Sequence, residues 1–221
     1  MKFMSRSLAL LLLVTIFATP AFAENNKKGI YAGIKLIDSI QGNWIDDGGD
    51  LSGFQNTIGG GIFVGYDFYH KFDVPVRMEL EYALRSEWST DQDYSVGGVR
   101  ATAKAMANVQ TLLANFYYDF RNSSNFTPYV GLGLGVAFIE ASVDASLTTP
   151  WGWAAGSVSD SETAFAWNIG AGVAYNINDT VTIDLGYRYL NLGDSKFKFN
   201  NLKASAFSAA HEIMLGLRFT F

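Results

Sequence analysis

Charged residues alternate with apolar ones around residue 80, and their types suit ion pairing. Arg77, Glu79, Glu81 and Arg85 occupy odd-numbered positions, where Ala83 is the one uncharged residue of this stretch. The even-numbered positions between them hold the apolar or aromatic residues Met78, Leu80, Tyr82 and Leu84. A period of two places the charges on one face of a β-strand. Four charges on one face indicate a polar interior, in which they pair with opposite charges from other strands.

Other segments with the same period place further charges on the same side. The resulting interior network has five basic and six acidic members: Lys35, Asp67, Arg77, Glu79, Glu81, Arg85, Asp119, Asp184, Arg188, Glu212 and Arg218. Because the signs nearly balance, the set suits buried ion pairs that fill the interior. A narrow polar pore is the alternative that this pattern leaves open.

A hydrolytic site is the second chemistry to weigh, because Ser208, His211 and Glu212 lie close together in the sequence. Such a set could deacylate lipid A. However, residues three apart on a strand face opposite sides, and a nucleophile must lie within hydrogen-bonding reach of its base. The other histidine, His70, falls in a predicted turn and is expected to be solvated. We therefore predict no catalytic residues and no enzyme.

Metal and cofactor sites lack the expected patterns. The chain has no cysteine and two histidines, so no His/Cys ligand spacing exists. Asp46, Asp47 and Asp50 could hold a divalent cation, but a solvated loop is the preferred interpretation. The glycine runs at 59–61 and 131–135 precede no predicted helix, which argues against dinucleotide binding. No metal and no cofactor are predicted.

The elements that would position the charges are eight strands, predicted at 29–38, 57–68, 74–86, 104–120, 128–140, 164–177, 181–192 and 207–221. Their connections alternate between long and short, with long loops predicted at 39–56, 87–103, 141–163 and 193–206. Outer-membrane barrels combine short periplasmic turns with long external loops in this way. The predicted fold is all-β: an eight-stranded antiparallel up-and-down transmembrane β-barrel.

Aromatic residues collect at both ends of the predicted outward face, as in membrane barrels. Those near the short turns include Phe68, Tyr118 and Tyr175, and those near the loops include Phe138 and Trp167. A soluble barrel of the lipocalin type, with its apolar face inside, is the rival interpretation. The aromatics at both ends and the scarcity of charge on the apolar faces favour the membrane barrel.

The first 23 residues read as a secretory signal peptide. Lys2 and Arg6 precede an apolar run, and Ala21 and Ala23 supply the small residues of a cleavage site. The domain prediction is a signal peptide at 1–23 and a barrel domain at 24–221. Without the leader, 14 basic and 21 acidic residues give a net charge of −7, which argues against a nucleic-acid partner.

The chain resembles the porin-family small outer-membrane β-barrel proteins, which include opacity-type proteins and the transmembrane domain of outer membrane protein A. The resemblance rests on glycine-aromatic strand segments across the mature chain, at 30–33, 128–135, 170–175, 185–189 and 215–221. It implies that the barrel-assembly machinery reads the closing strand, here Leu217, Phe219 and Phe221. It also implies the outer membrane of a Gram-negative bacterium, with membrane lipid and lipopolysaccharide as partners.

The family is specific for fold and weak for function. We expect a non-enzymatic surface protein with an envelope or adhesion-type role, whose four external loops meet a host or cell-surface ligand. Loop tips carrying Trp44, Trp151 and Trp153 are the expected contact points, since exposed aromatics mark interaction sites. The alternatives are a narrow channel for small solutes and a lipid A-modifying enzyme.

Overall fold

A computed structural model describes residues 29–45, 53–199 and 202–221 of the 221-residue chain. The predicted signal peptide, with Ala21 and Ala23, lies outside the described residues, as do Asp46, Asp47 and Asp50. The side chains of Trp44 and Ser208 lie outside them too. No helix in the described part is long and apolar enough to cross a membrane.

Nine antiparallel strands and one helical turn make up the described chain: β1 (Ile30–Ile45), β2 (Gly53–Asp67), α1 (Tyr69–Phe72), β3 (Val76–Arg85), β4 (Trp88–Val96), β5 (Val99–Asp119), β6 (Phe126–Thr149), β7 (Gly152–Asn176), β8 (Val181–Phe199) and β9 (Leu202–Thr220). Eight of them close a ring in the order β1, β2, β3, β5, β6, β7, β8, β9, because β9 pairs with β1 and β3 pairs with β5. The predicted fold class is confirmed. β4 is an additional strand, paired to β5 outside the ring.

The four predicted long loops are wrong in extent, because most of their residues continue the strands. In the first, Ser39 pairs with Thr57 and the ladder runs on to Asn43 opposite Gly53. The segments 99–103, 141–149 and 152–163 likewise extend β5, β6 and β7, and 194–199 pairs with 202–207. These segments lack apolar alternation, yet a backbone ladder needs no apolar face where water solvates both sides.

β4 and the first part of β5 form a hairpin with a two-residue turn. It reverses through Gly97 and Gly98, whose φ angles are +60° and +78°. Positive φ at both central residues defines the two-residue turn that matches the twist of paired strands, and glycine adopts it without strain. The predicted loop at 87–103 is therefore a hairpin.

The two faces of the barrel wall differ as the period of two predicts. Outward positions expose large apolar side chains such as Leu80, Leu132, Ile169 and Leu215, and inward positions bury polar ones such as Glu81 and Asn115. Inward-facing glycines, which lack a side chain, leave space for the larger side chains of neighbouring strands. A Cβ on Gly133, for example, would lie 2.0 Å from Asn115 Oδ1 and 2.2 Å from Asn168 Nδ2. The interior of the barrel is therefore packed with side chains, many of them polar.

Candidate functional site

The predicted interior charges all lie inside the barrel. Each of the eleven is buried and takes part in at least one ion pair. We call this set the lumen network. Because each charge has a partner of opposite sign, the cost of removing it from water is offset by its neighbours.

The centre of the lumen network is a continuous chain of six charges. Lys35 Nζ bridges Glu79 and Glu81, the latter at 2.5 Å. Arg188 then joins Glu81 to Glu212, through Nη1 at 2.7 Å and Nε at 2.6 Å. Arg85 Nε closes the chain on Glu212 at 2.6 Å. Three cations and three carboxylates from β1, β3, β8 and β9 thus cross the lumen as a neutral set.

The periplasmic end of the lumen holds smaller pairs. Arg77 Nε donates to both oxygens of Asp119, at 3.0 and 2.9 Å, and Arg218 lies 3.5 Å from Asp184. Arg121, which the sequence predicts to lie in the short turn after Phe120, reaches Asp67 and Asp119. Its position two residues after the inward Asp119 was the available signal.

An apolar layer, which the sequence reasoning did not predict, lies at the extracellular end of the lumen. Its members are all buried: Val109, Leu113, Ala137, Ile139, Ala166, Leu190, Leu192 and Ala210. Leu190 is the next inward position after Arg188 towards the extracellular end of β8. Buried polar side chains, among them Gln41 and Thr57, lie at the same end, since Gln41 pairs with Ala210. The charges are therefore covered at this end by a packed layer that is apolar on one side and polar on the other.

Of the residues considered for hydrolysis, His211 and Glu212 lie on opposite faces of β9. His211 is exposed on the outward face, where its Nδ1 lies 2.6 Å from Tyr187 Oη. Glu212 is fully buried on the inward face between Arg85 and Arg188. His70 lies on α1 at 3.9 Å from Asp67. Within the described ranges, no group of three or more His, Cys, Asp or Glu side chains could hold a metal ion.

The extracellular hairpin tips expose apolar side chains to water. Trp151 and Trp153, at the turn between β6 and β7, are 92% and 79% exposed. Tyr94 and Val96, on β4 next to its turn, are also exposed. Large exposed apolar patches are typical of interaction surfaces.

Comparison with known proteins assigns the architecture to a family. The model of the outer membrane protein beta-barrel domain family matches residues 9–219. The chain belongs to this family. The match confirms the resemblance drawn from the glycine-aromatic strands. The protein is therefore located in the outer membrane of a Gram-negative bacterium.

Individual relatives of the barrel are named as an outer membrane protein, a putative adhesin and a surface protein. The chain is 34% identical to outer membrane protein PagN of Salmonella typhimurium over 180 residues, which covers 76% of this chain and 74% of the relative. It is 25% identical to a putative adhesin of Rickettsia bellii, covering 75% and 74%. The crystal structure of Neisserial surface protein A superposes with a TM-score of 0.52 at 21% identity, covering 87% of this chain and 97% of the other.

Proposed function

We propose that this outer-membrane barrel is a non-enzymatic adhesion-type surface protein, which contacts a host or another cell through its extracellular hairpins. The observation that carries the proposal is the pair of exposed indoles, Trp151 and Trp153, at the tip of β6 and β7. Aromatic side chains dominate the energetics of many protein interfaces. The relative named as a putative adhesin supports the same role.

The non-enzymatic part of the proposal rests on the separation of the polar groups. His211 and Glu212 face opposite sides of β9, and both oxygens of Glu212 are held by arginines. A general base and its orienting carboxylate need to touch. The lipid A-modifying alternative predicts a changed lipid A mass spectrum when the gene is present, and an unchanged spectrum would remove it.

Adhesion of whole bacteria to cultured cells tests the proposal. Cells displaying the wild-type barrel should bind, and the double substitution Trp151→Ser with Trp153→Ser should remove most of this binding. Trp167→Phe, on the outward face within the β6–β8 wall, is the matched control and should bind like the wild type. Surface display is equalised by measuring the heat-modifiable folded form. Unimpaired adhesion of the double variant would contradict the proposal.

We further propose that lipid and lipopolysaccharide contact the outward face and that the barrel-assembly machinery reads Leu217, Phe219 and Phe221. The backbone N–H of Phe221 donates to Ile30 O at 2.9 Å, while its side chain is 56% exposed and accessible. Phe221→Ala should therefore lower the amount of folded barrel in the outer membrane without lowering refolding of the purified protein. Phe126→Ala, with 55% exposure at the same end, should lower neither.

A further inference from the structure

The extracellular half of β7 is hydrogen-bonded on one side only. β6 accompanies β7 along its whole length, from Thr149 opposite Gly152 to Phe126 opposite Tyr175. β8 pairs with β7 only from Asn176 opposite Thr182 up to Trp167 opposite Asn191. We call residues 152–166 the β7 edge, and no strand in the described part of the chain pairs with its second side.

A local irregularity explains why β8 leaves β7. The register between β8 and β9 shifts between Asn191 and Asp194, and Gly193 adopts φ +76° with its N–H donating to Asn191 Oδ1 at 2.8 Å. A Cβ on Gly193 would lie 2.6 Å from Phe165 O. Beyond this point the described part of β8 continues its ladder with β9 and is no longer paired with β7.

The alternation of hydrogen-bond direction along β7 shows which residues of the β7 edge point their backbone groups to the open side. Asn176 N donates to Asn125 O towards β6, and Ile177 N donates to Val181 O towards β8. Because the direction alternates along a strand, odd-numbered residues of β7 point their N–H and C=O groups away from β6. The proximity of Gly193 to Phe165 O agrees with this phase.

The β7 edge therefore presents a ladder of backbone groups from Trp153 to Thr163. The N–H of Ser161 is already taken by Asp160 Oδ1 at 2.9 Å. Above that position, Trp153, Ala155, Ser157 and Ser159 direct their N–H groups to the open side. Backbone ladders of this kind bind added strands in many peptide complexes.

The β7 edge also lacks the features that usually protect strand edges, such as charges, prolines and bulges. Residues 151–159 read W-G-W-A-A-G-S-V-S, without a charge. By contrast β4, which also pairs on one side only, carries Asp91 and Asp93. The small side chains of the β7 edge leave room for an incoming backbone.

The charge around the β7 edge selects the kind of strand that would add to it. β6 and β7 contain Glu140, Asp144 and Asp160 and no basic residue, and the nearest basic residue across the β5–β6 ladder is Lys104, opposite Asp144. A second copy of the same strand would bring the same carboxylates and repel them. An extended segment with lysine or arginine would be attracted instead.

We propose that the β7 edge binds an extended, basic segment of a partner protein by strand addition. The inference rests on the proposed adhesion function, for which it names the docking site and the partner chemistry. Backbone groups at 153–159 supply the ladder, and the carboxylates of β6 and β7 supply the charge preference. The exposed Trp153 lies at the outer end of the site.

Peptide binding to the full mature barrel in detergent micelles tests the inference directly. The probe is a fluorescent ten-residue peptide in which valine and lysine alternate, followed by anisotropy. The peptide should bind, and a higher salt concentration should weaken its binding. The same peptide with glutamate in place of lysine, or with every backbone nitrogen methylated, should not bind. Equal binding of the methylated peptide would overturn strand addition without depending on any protein variant.

Proline substitutions locate the site. Ser157→Pro with Ser159→Pro removes two N–H groups that face the open side and leaves the ladder to β6 intact, so peptide affinity should fall by about tenfold or more. Ser95→Pro is the matched control on the other open edge, because Val96 and Val99 close the turn and the Ser95 N–H points away from β5. It should bind as the wild type does.

The outcomes separate this inference from the proposed function. Adhesion that persists while the wild-type barrel fails to bind the basic peptide would overturn the inference and leave adhesion standing. Peptide binding that depends on Ser157 and Ser159, without adhesion to cells, would support the inference and contradict the function. Barrels that dimerise in micelles, with dimers lost in the proline variant, would show a second copy at the edge and overturn the basic-peptide partner.

Discussion

Arg188 and Glu212 lie directly opposite each other on β8 and β9, joined by a hydrogen bond of 2.6 Å from Nε to Oε2. Both side chains are buried. Each also holds a charge from β3, since Arg188 binds Glu81 and Glu212 binds Arg85. The pair therefore ties the closing strands of the ring to the opposite wall across the lumen.

Removing Glu212 should be strongly destabilising, because Glu212→Ala leaves Arg85 and Arg188 buried without this shared carboxylate. We expect a loss of about 3–5 kcal/mol in the free energy of unfolding, measured by reversible urea unfolding from lipid vesicles. Asp93→Ala is the control, since it breaks an exposed pair with Arg100, and should cost less than about 1 kcal/mol. Equal losses would show that the lumen network contributes no more than a surface pair.

The lumen should not conduct ions steadily, because the ion pairs of the lumen network and the apolar layer at Leu190 place buried side chains across it. In planar bilayers we expect the wild-type barrel to give no sustained openings at moderate voltage. Steady openings that decrease in Arg77→Gln or Glu81→Gln would contradict the closed lumen and favour the narrow channel.

The membrane-spanning part of the fold could be predicted because the bilayer imposes a rule on every second residue. Leu132 must be apolar where it meets lipid, and Gly133 next to it is free to suit the interior, so the sequence shows the alternation directly. Outside the bilayer no such rule applies. The segment Trp88–Val96 has polar residues on both faces, and its pairing with β5 was missed for that reason.

The inward position of the charges could be predicted from the alternation along each strand, but their ion-pair partners could not. Glu81 and Arg188 are 107 residues apart, and whether they meet depends on the stagger of the strands around the ring and on side-chain rotamers. The meeting of Leu190 and Val109 in one apolar layer could not be predicted either. In the sequence each is only an apolar residue at an inward position. Arg121 was missed because it follows the end of its strand.

Exposed apolar positions of the barrel wall should tolerate charge only above the membrane. Leu132 and Val158 are similarly exposed, at 53% and 55%. Leu132 lies on the outward face, in the middle of the spanning part of β6, whereas Val158 lies on the extracellular part of β7, on the side that continues the inward face. Leu132→Arg should cost about 2–4 kcal/mol in vesicles, and Val158→Arg should stay within about 0.5 kcal/mol. The measurement is urea unfolding in lipid. Equal tolerance at both positions would contradict a lipid-facing Leu132.

Glycine inside the lumen should be irreplaceable where a polar contact occupies the space of its missing Cβ. Asn168 Nδ2 donates to Asn115 Oδ1 at 2.9 Å directly over Gly133. Gly133→Ala should break this hydrogen bond and cost about 1–3 kcal/mol through overpacking. Gly156→Ala, where no atom lies within 4 Å of the added Cβ, should be neutral or slightly stabilising. Unfolding midpoints in urea compare the two, and a neutral Gly133→Ala would mean that the interior relaxes more readily than its ion pairs and buried amides suggest.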